Sequence, residues 1–255
     1  MIKLKVVENY TDYLHKLDGK GDVFVFRGQA NANFILIPSS LRAEQKISAN
    51  KEMLEFVSQM QETFNFDELT CIEIAQHFFL PTRMLDFSYS YDVALFFACC
   101  DPKGRYKDQD GKVFIFNKSK YERYLREHNC KSSQMIKINK FLYEWLESFL
   151  ADKKHSHYDI DLPLFVDATE EFDRLHMQKG LFLLWGKSSD SLEKIFSDEK
   201  INYDDFIEEI IIKKEAKEMI LASLKEKHIT EDTIYMNISL IRQMVDNIKK
   251  GRGQN

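Results

Sequence analysis

Apolar and polar residues change their period several times along the chain, and each change predicts an element. Asn9–Leu17 reads as a short opening helix. Asp22–Arg27 (DVFVFR) is β-branched and aromatic, so we expect a strand, ended by Gly28. Phe34–Ile37 predicts a second short strand stopped by Pro38. Helical spacing of Met53, Leu54, Phe56, Val57, Met60 and Phe64 predicts a helix over Asn50–Phe64. Asp67–His77 is the next helix, and Pro81 forbids its continuation. Tyr91–Cys100 is apolar nearly all round, which predicts a buried helix.

Strands are expected at Lys112–Asn117, Leu162–Val166, Gly180–Trp185 and Ile207–Ile212. Helices are expected at Lys118–His128, Ile136–Ala151, Thr169–His176, Ser189–Ser197, Glu215–Lys227 and Ile238–Lys249. The pattern gives an α+β fold: one domain over residues 1–250, with short mixed strands in one or two small sheets flanked by many helices. Residues 251–255 read as a flexible tail. The loop Lys153–Leu162 is the one stretch where a boundary could fall.

Composition narrows the partners. With 36 Lys and Arg against 41 Asp and Glu the net charge is -5, which argues against a wide basic surface for duplex nucleic acid but leaves room for a local basic pocket. The longest apolar run, Val93–Cys100, is short of the roughly 20 residues a bilayer needs. The N-terminus has no signal-peptide core, and Cys71, Cys99, Cys100 and Cys130 have no CxxC spacing. We therefore expect a cytoplasmic protein with reduced thiols, away from membranes.

Several common chemistries lack their motifs. No P-loop, no GxGxxG turn and no GxSxG elbow occurs. The close histidine pair His155 and His157 stands in a charged loop and reads as solvated rather than as metal ligands, so no metal is predicted. No acidic metal cluster suggests a nuclease.

A distributed polar set remains. Arg27 ends a strand beside Phe24 and Phe26, where a guanidinium is costly to bury unless it meets a carboxylate or phosphate. Ser39 and Ser40 follow Pro38, His77 ends a helix, and Thr82, Arg83 and Asp86 surround Pro81. Arg83 and Asp86, three apart, read first as an ion pair closing a turn, and His77 equally as a helix cap. Arg174, His176 and Gln178 precede the GLFLLW strand; Glu208 and Glu209 read first as a solvated strand start.

These residues also carry a resemblance. FRGQ at Phe26–Gln29, PSSLR at Pro38–Arg42, QHFFLPTRMLDFSYSYDVALFFAC, RLHMQKGLFLLWG and the final EEIIIKKEAKEMILASLKEKHITEDTIY resemble, in order from about Asp22 to Tyr235, the FRG domain family. Phe79 stands where the family has glycine, Phe87 where it has tryptophan, and His228 where a Gly-Ile turn has its glycine; Tyr235-Met236-Asn237 replaces a Phe-Pro-Asp-type ending.

The family's arrangement in turn resembles the ADP-ribosyltransferase fold, which implies NAD as substrate and a bacterial or phage-associated toxin or defence effector modifying protein or nucleic acid. Such chemistry assigns Arg27, His77 and Glu209 catalytic roles, with Glu208 as second choice for the carboxylate. Gly28, Gln29, Ser39, Ser40, Thr82, Arg83 and Gln178 would bind the cofactor, and Phe79 or Phe87 would stack on nicotinamide. A regulatory partner protein is a further expectation. The alternative is a non-catalytic module that binds a nucleotide, a phosphate or a protein through Arg27, Arg83 and Arg174.

Overall fold

The computed structural model describes residues 5–19, 24–42, 49–65, 68–77, 80–128, 162–167, 179–186 and 188–234. The predicted helices at 136–151, 169–176 and 238–249, the His155–His157 loop and the tail lie outside them.

The described elements run β1 (Lys5–Val7), α1 (Tyr10–Lys16), β2 (Phe24–Gln29), α2 (Ala49–Phe64), α3 (Glu68–His77), β3 (Met84–Ser88), α4 (Tyr91–Cys99), β4 (Gly111–Asn117), α5 (Lys118–Glu127), β5 (Leu164–Asp167), β6 (Gly180–Leu184), α6 (Leu192–Asp198), β7 (Ile207–Ile212), α7 (Lys217–Glu226) and α8 (Glu231–Ile234). The strands form one seven-stranded mixed sheet in the order β1-β7-β4-β2-β3-β6-β5, so the fold is α+β. β1 is parallel to β7, and the other pairings are antiparallel. None of the described helices is long and apolar enough to cross a membrane.

Pairing is uneven across the sheet. β2 lies along β4 from Phe24–Asn117 to Gln29–Lys112, and β3 lies along β6 from Met84–Leu184 to Ser88–Gly180. Between β2 and β3 the ladder holds only Phe26 opposite Ser88. The sheet is therefore split by a seam into β1-β7-β4-β2 and β3-β6-β5.

Strand alternation sorts side chains to two faces. One face carries Val25, Leu85, Phe87, Phe114, Phe116 and Ile207, covered by Tyr121 of α5, Phe196 of α6 and Trp185. The other carries Phe26, Val113, Ile115, Ile210 and Ile212 beneath α4 and α7. As its composition predicts, α4 is buried on nearly every side; Ser90 caps it by accepting from the Val93 N–H at 3.3 Å.

Gly28 does not end its strand, which continues to Gln29. The glycine lies under α4: a Cβ there would stand 1.7 Å from the Ala94 carbonyl oxygen, and one on Gly111 of the neighbouring strand would stand 2.2 Å from that of Ala98. Helix α4 thus rests directly on backbone across two strands.

Three other expectations change. Phe34–Ile37 is not a strand, because Leu36 gives its N–H to Glu193 Oε1 at 2.9 Å and its carbonyl to the Leu192 N–H at 2.9 Å, tying this segment to the start of α6. The supposed turn around Pro81 becomes β3 from Met84 onward. The expected Arg83–Asp86 turn pair gives way to separate partners: Arg83, just before β3, donates to Gly186 O and Ser188 O, while Asp86 within it meets Gln76 and Arg27. The edge strand β1 is too short for its alternation to have been read. Finally, His228 takes φ 61 in a two-bond closure of α7, with its N–H on Lys225 O at 3.0 Å and that of Ile229 on Leu224 O at 3.0 Å.

Candidate functional site at the seam between β2 and β3

Arg27 lies next to the one residue of β2 that pairs with β3. Its Nη1 crosses the seam and donates to the Asp86 backbone carbonyl at 2.6 Å, and stands 3.7 Å from Asp86 Oδ2. The Arg27 side chain is 14% exposed and that of Asp86 52%, so the cation is largely desolvated while the carboxylate stays open. Burial lowers the Arg27 pKa below the ordinary arginine value; Asp86 opposes this and nearby Arg42 adds to it. The Arg27 Nε is buried and has no partner among the described residues.

A chain of hydrogen bonds leads away from Asp86. Its Oδ2 accepts from Gln76 Nε2 at 2.8 Å, and Gln76 Oε1 accepts from the Thr82 hydroxyl. The Thr82 N–H donates to Ser39 Oγ at 3.1 Å, and the Ser40 N–H donates to the Thr82 carbonyl at 3.1 Å. Ser39 and Ser40 belong to a 3-10 turn, Ser39–Leu41, which presents them to the segment entering β3. Four expected residues, Arg27, Ser39, Ser40 and Thr82, are thus brought together. Nothing in the sequence marks Gln76, although it directly precedes His77, and Asp86 reads there only as a turn staple.

The other expected residues separate. Arg83 is buried and turns to the loop after β6, donating through Nη2 to Gly186 O and, at 2.7 Å, to Ser188 O. Burial brings its pKa down to about 9. Gly28 faces α4, away from Arg27. Gln29 is buried, and its Oε1 has no partner among the described residues. Phe87 is packed edge-on against Phe116 at 6.0 Å and Phe165 at 5.4 Å, so it belongs to the core and cannot stack on a ligand. The His77 side chain, Phe79, Arg174, His176 and Gln178 lie outside the described residues.

The two late glutamates part company. Glu208 pairs with Lys5 at 2.5 Å on the edge strand. Glu209 shares a face with Arg27, since both stand opposite Phe114 in the cross-strand register. That places their backbones two strands apart, about 10 Å. Fully buried Phe114 stands between them. Glu209 Oε2 is 3.0 Å from Lys112 Nζ, and Oε1 accepts from the Tyr203 hydroxyl at 3.0 Å. Burial foremost, with Glu209 adding to it, raises the Tyr203 pKa well above the ordinary phenol range.

The family model described as FRG domain matches residues 22–107. The matched span holds every residue of the hydrogen-bonded chain from Arg27 through Asp86, Gln76 and Thr82 to Ser39, and it excludes Glu208 and Glu209. No curated protein and no solved structure matches the chain. Residues 22–107 therefore carry an FRG domain.

Proposed function

We propose that the protein is an NAD-binding, ADP-ribosyltransferase-like domain whose ligand seats at the seam, with Arg27 as its diphosphate contact. The observation that supports this most is a desolvated guanidinium, with one buried N–H unpartnered among the described residues, beside an open carboxylate. A buried cation of that kind calls for an anion that brings further acceptors. Arginine's planar fork suits a phosphate oxygen pair better than a lysine would. In the transferase reading, the bond from nicotinamide to ribose C1′ breaks, nicotinamide leaves with the bonding pair, and a nucleophile on protein or nucleic acid bonds to C1′ and gives up its proton to solvent. Such a domain would serve as a toxin or phage-defence effector.

A non-catalytic nucleotide-binding module is the second reading. The engagement of Glu209 by Lys112 and Tyr203 favours it, because the carboxylate that shares a face with Arg27 is already neutralised.

Nicotinamide release from NAD by purified protein, with cell lysate as acceptor, separates the two. Release by wild type that is lost in Arg27→Ala supports transfer. No release, with NAD still protecting the fold against heat, supports the binding module. Neither release nor protection removes both readings.

A further inference from the structure

We infer that Asp86, aimed by Gln76, is the carboxylate that receives the ribose hydroxyls of the nucleotide; this rests on the nucleotide reading above. Asp86 Oδ2 is fixed by Gln76 Nε2 at 2.8 Å and by Arg27 at 3.7 Å, while Oδ1 has no partner among the described residues. An oxygen that is held on one side and open on the other is placed to accept hydrogen bonds from a diol.

The relay behind it settles which way the Gln76 amide points. Thr82 Oγ1 accepts from the Met84 N–H at 3.2 Å and donates to Gln76 Oε1, with Met84 O at 3.5 Å as a longer second acceptor. The Gln76 NH₂ group is then turned to Asp86. The reverse orientation would set an amide oxygen against a carboxylate. Ser39, accepting from the Thr82 N–H at 3.1 Å, holds the other end of the relay. Ser39, Thr82 and Gln76 are therefore positioning residues, and Arg27 and Asp86 are the ones that touch ligand. Glu209 contrasts with Asp86, since each of its oxygens is already engaged.

The pair Arg27–Asp86 also selects a ligand class. A bare phosphate gains from Arg27 and is repelled by Asp86. A phosphate carrying hydroxyls within reach, as in a nucleotide, gains from both. The seam should therefore discriminate NAD and ADP-ribose from inorganic pyrophosphate.

Calorimetric titration of wild type, Asp86→Asn, Gln76→Leu and Glu209→Gln with NAD and with pyrophosphate tests this, with circular dichroism to verify each fold. Asp86→Asn should weaken NAD at least about tenfold, as expected for loss of a charge-assisted acceptor, while pyrophosphate binds equally or more tightly. Gln76→Leu should weaken NAD with the same sparing of pyrophosphate. Unchanged NAD affinity in Asp86→Asn, parallel loss of both ligands, or a larger loss in Glu209→Gln would overturn the inference and leave the nucleotide reading standing. Pyrophosphate binding without NAD binding, or no binding of either, would overturn that reading as well.

Discussion

Arg27 donates to the backbone carbonyl of Asp86 at 2.6 Å across the point where the sheet is split. Next to it, Phe26 opposite Ser88 is the only rung between β2 and β3. One side chain thus does part of the work a ladder does elsewhere, and does it with a desolvated charge. An apolar seam would hold the strands with less electrostatic cost. That a guanidinium stands there instead is the physical reason to look for a ligand.

Gly28→Ala tests the seating of α4. The added methyl would stand 1.7 Å from the Ala94 carbonyl oxygen, and backbone cannot yield as a flexible side chain does. Urea denaturation should show a loss of at least about 3 kcal/mol, or no folded protein. A loss below about 1 kcal/mol would mean that the helix is not seated on the strand.

Arg83→Met separates the role of buried Arg83 from that of Arg27. Arg83 supplies the carbonyls of Gly186 and Ser188 from the start of β3. Leaving such carbonyls without their donor should cost about 2–4 kcal/mol in denaturant unfolding. Ligand affinity should stay within about threefold. A binding loss with unchanged stability would return Arg83 to the ligand.

His228→Gly should stabilise the protein. His228 holds φ 61 in the closure of α7, a conformation that a side chain disfavours and glycine adopts freely. Thermal or denaturant unfolding should show a gain of up to about 1 kcal/mol. A loss would mean that the imidazole makes a compensating interaction.

Alkaline pH should erode stability through Cys99. Its thiol, buried at the C-terminal end of α4, is pushed from an ordinary value of 9.0 up to about 12, with desolvation as the largest cause. The folded state keeps this proton where the unfolded chain loses it, so the contribution is full below about pH 9 and falls as pH rises toward 12. The stability advantage of wild type over Cys99→Ala should shrink by about 1.4 kcal/mol between about pH 7 and pH 10. A constant difference would contradict the assignment.

Local periodicity showed most elements. The bounds of Ile207–Ile212 follow from its apolar run, and those of α4, to within one residue, from its all-round hydrophobicity. What failed were features set by distant partners. Leu36 turns from strand to loop because Glu193 and Leu192 take its hydrogen bonds, 157 positions away in the case of Glu193. Met84–Ser88 joins the sheet although Pro81, Arg83 and Asp86 read as a turn, because β6 supplies a full ladder. At the candidate site, some residues stand out in the sequence by type and their partners do not. Arg27 and Thr82 stood out by type, while Gln76 looked like any exposed residue near a helix end. Only the seam shows that Asp86 belongs to Arg27 and Arg83 to the loop after β6.

The most direct test of the central claim is calorimetric titration of NAD into wild type and Arg27→Met. Methionine keeps much of the stem's packing and removes the cation, so the fold should persist. The account predicts saturable binding by wild type and at least about a tenfold loss in the variant. Equal affinity of the two proteins for NAD, or no binding by wild type, would contradict it.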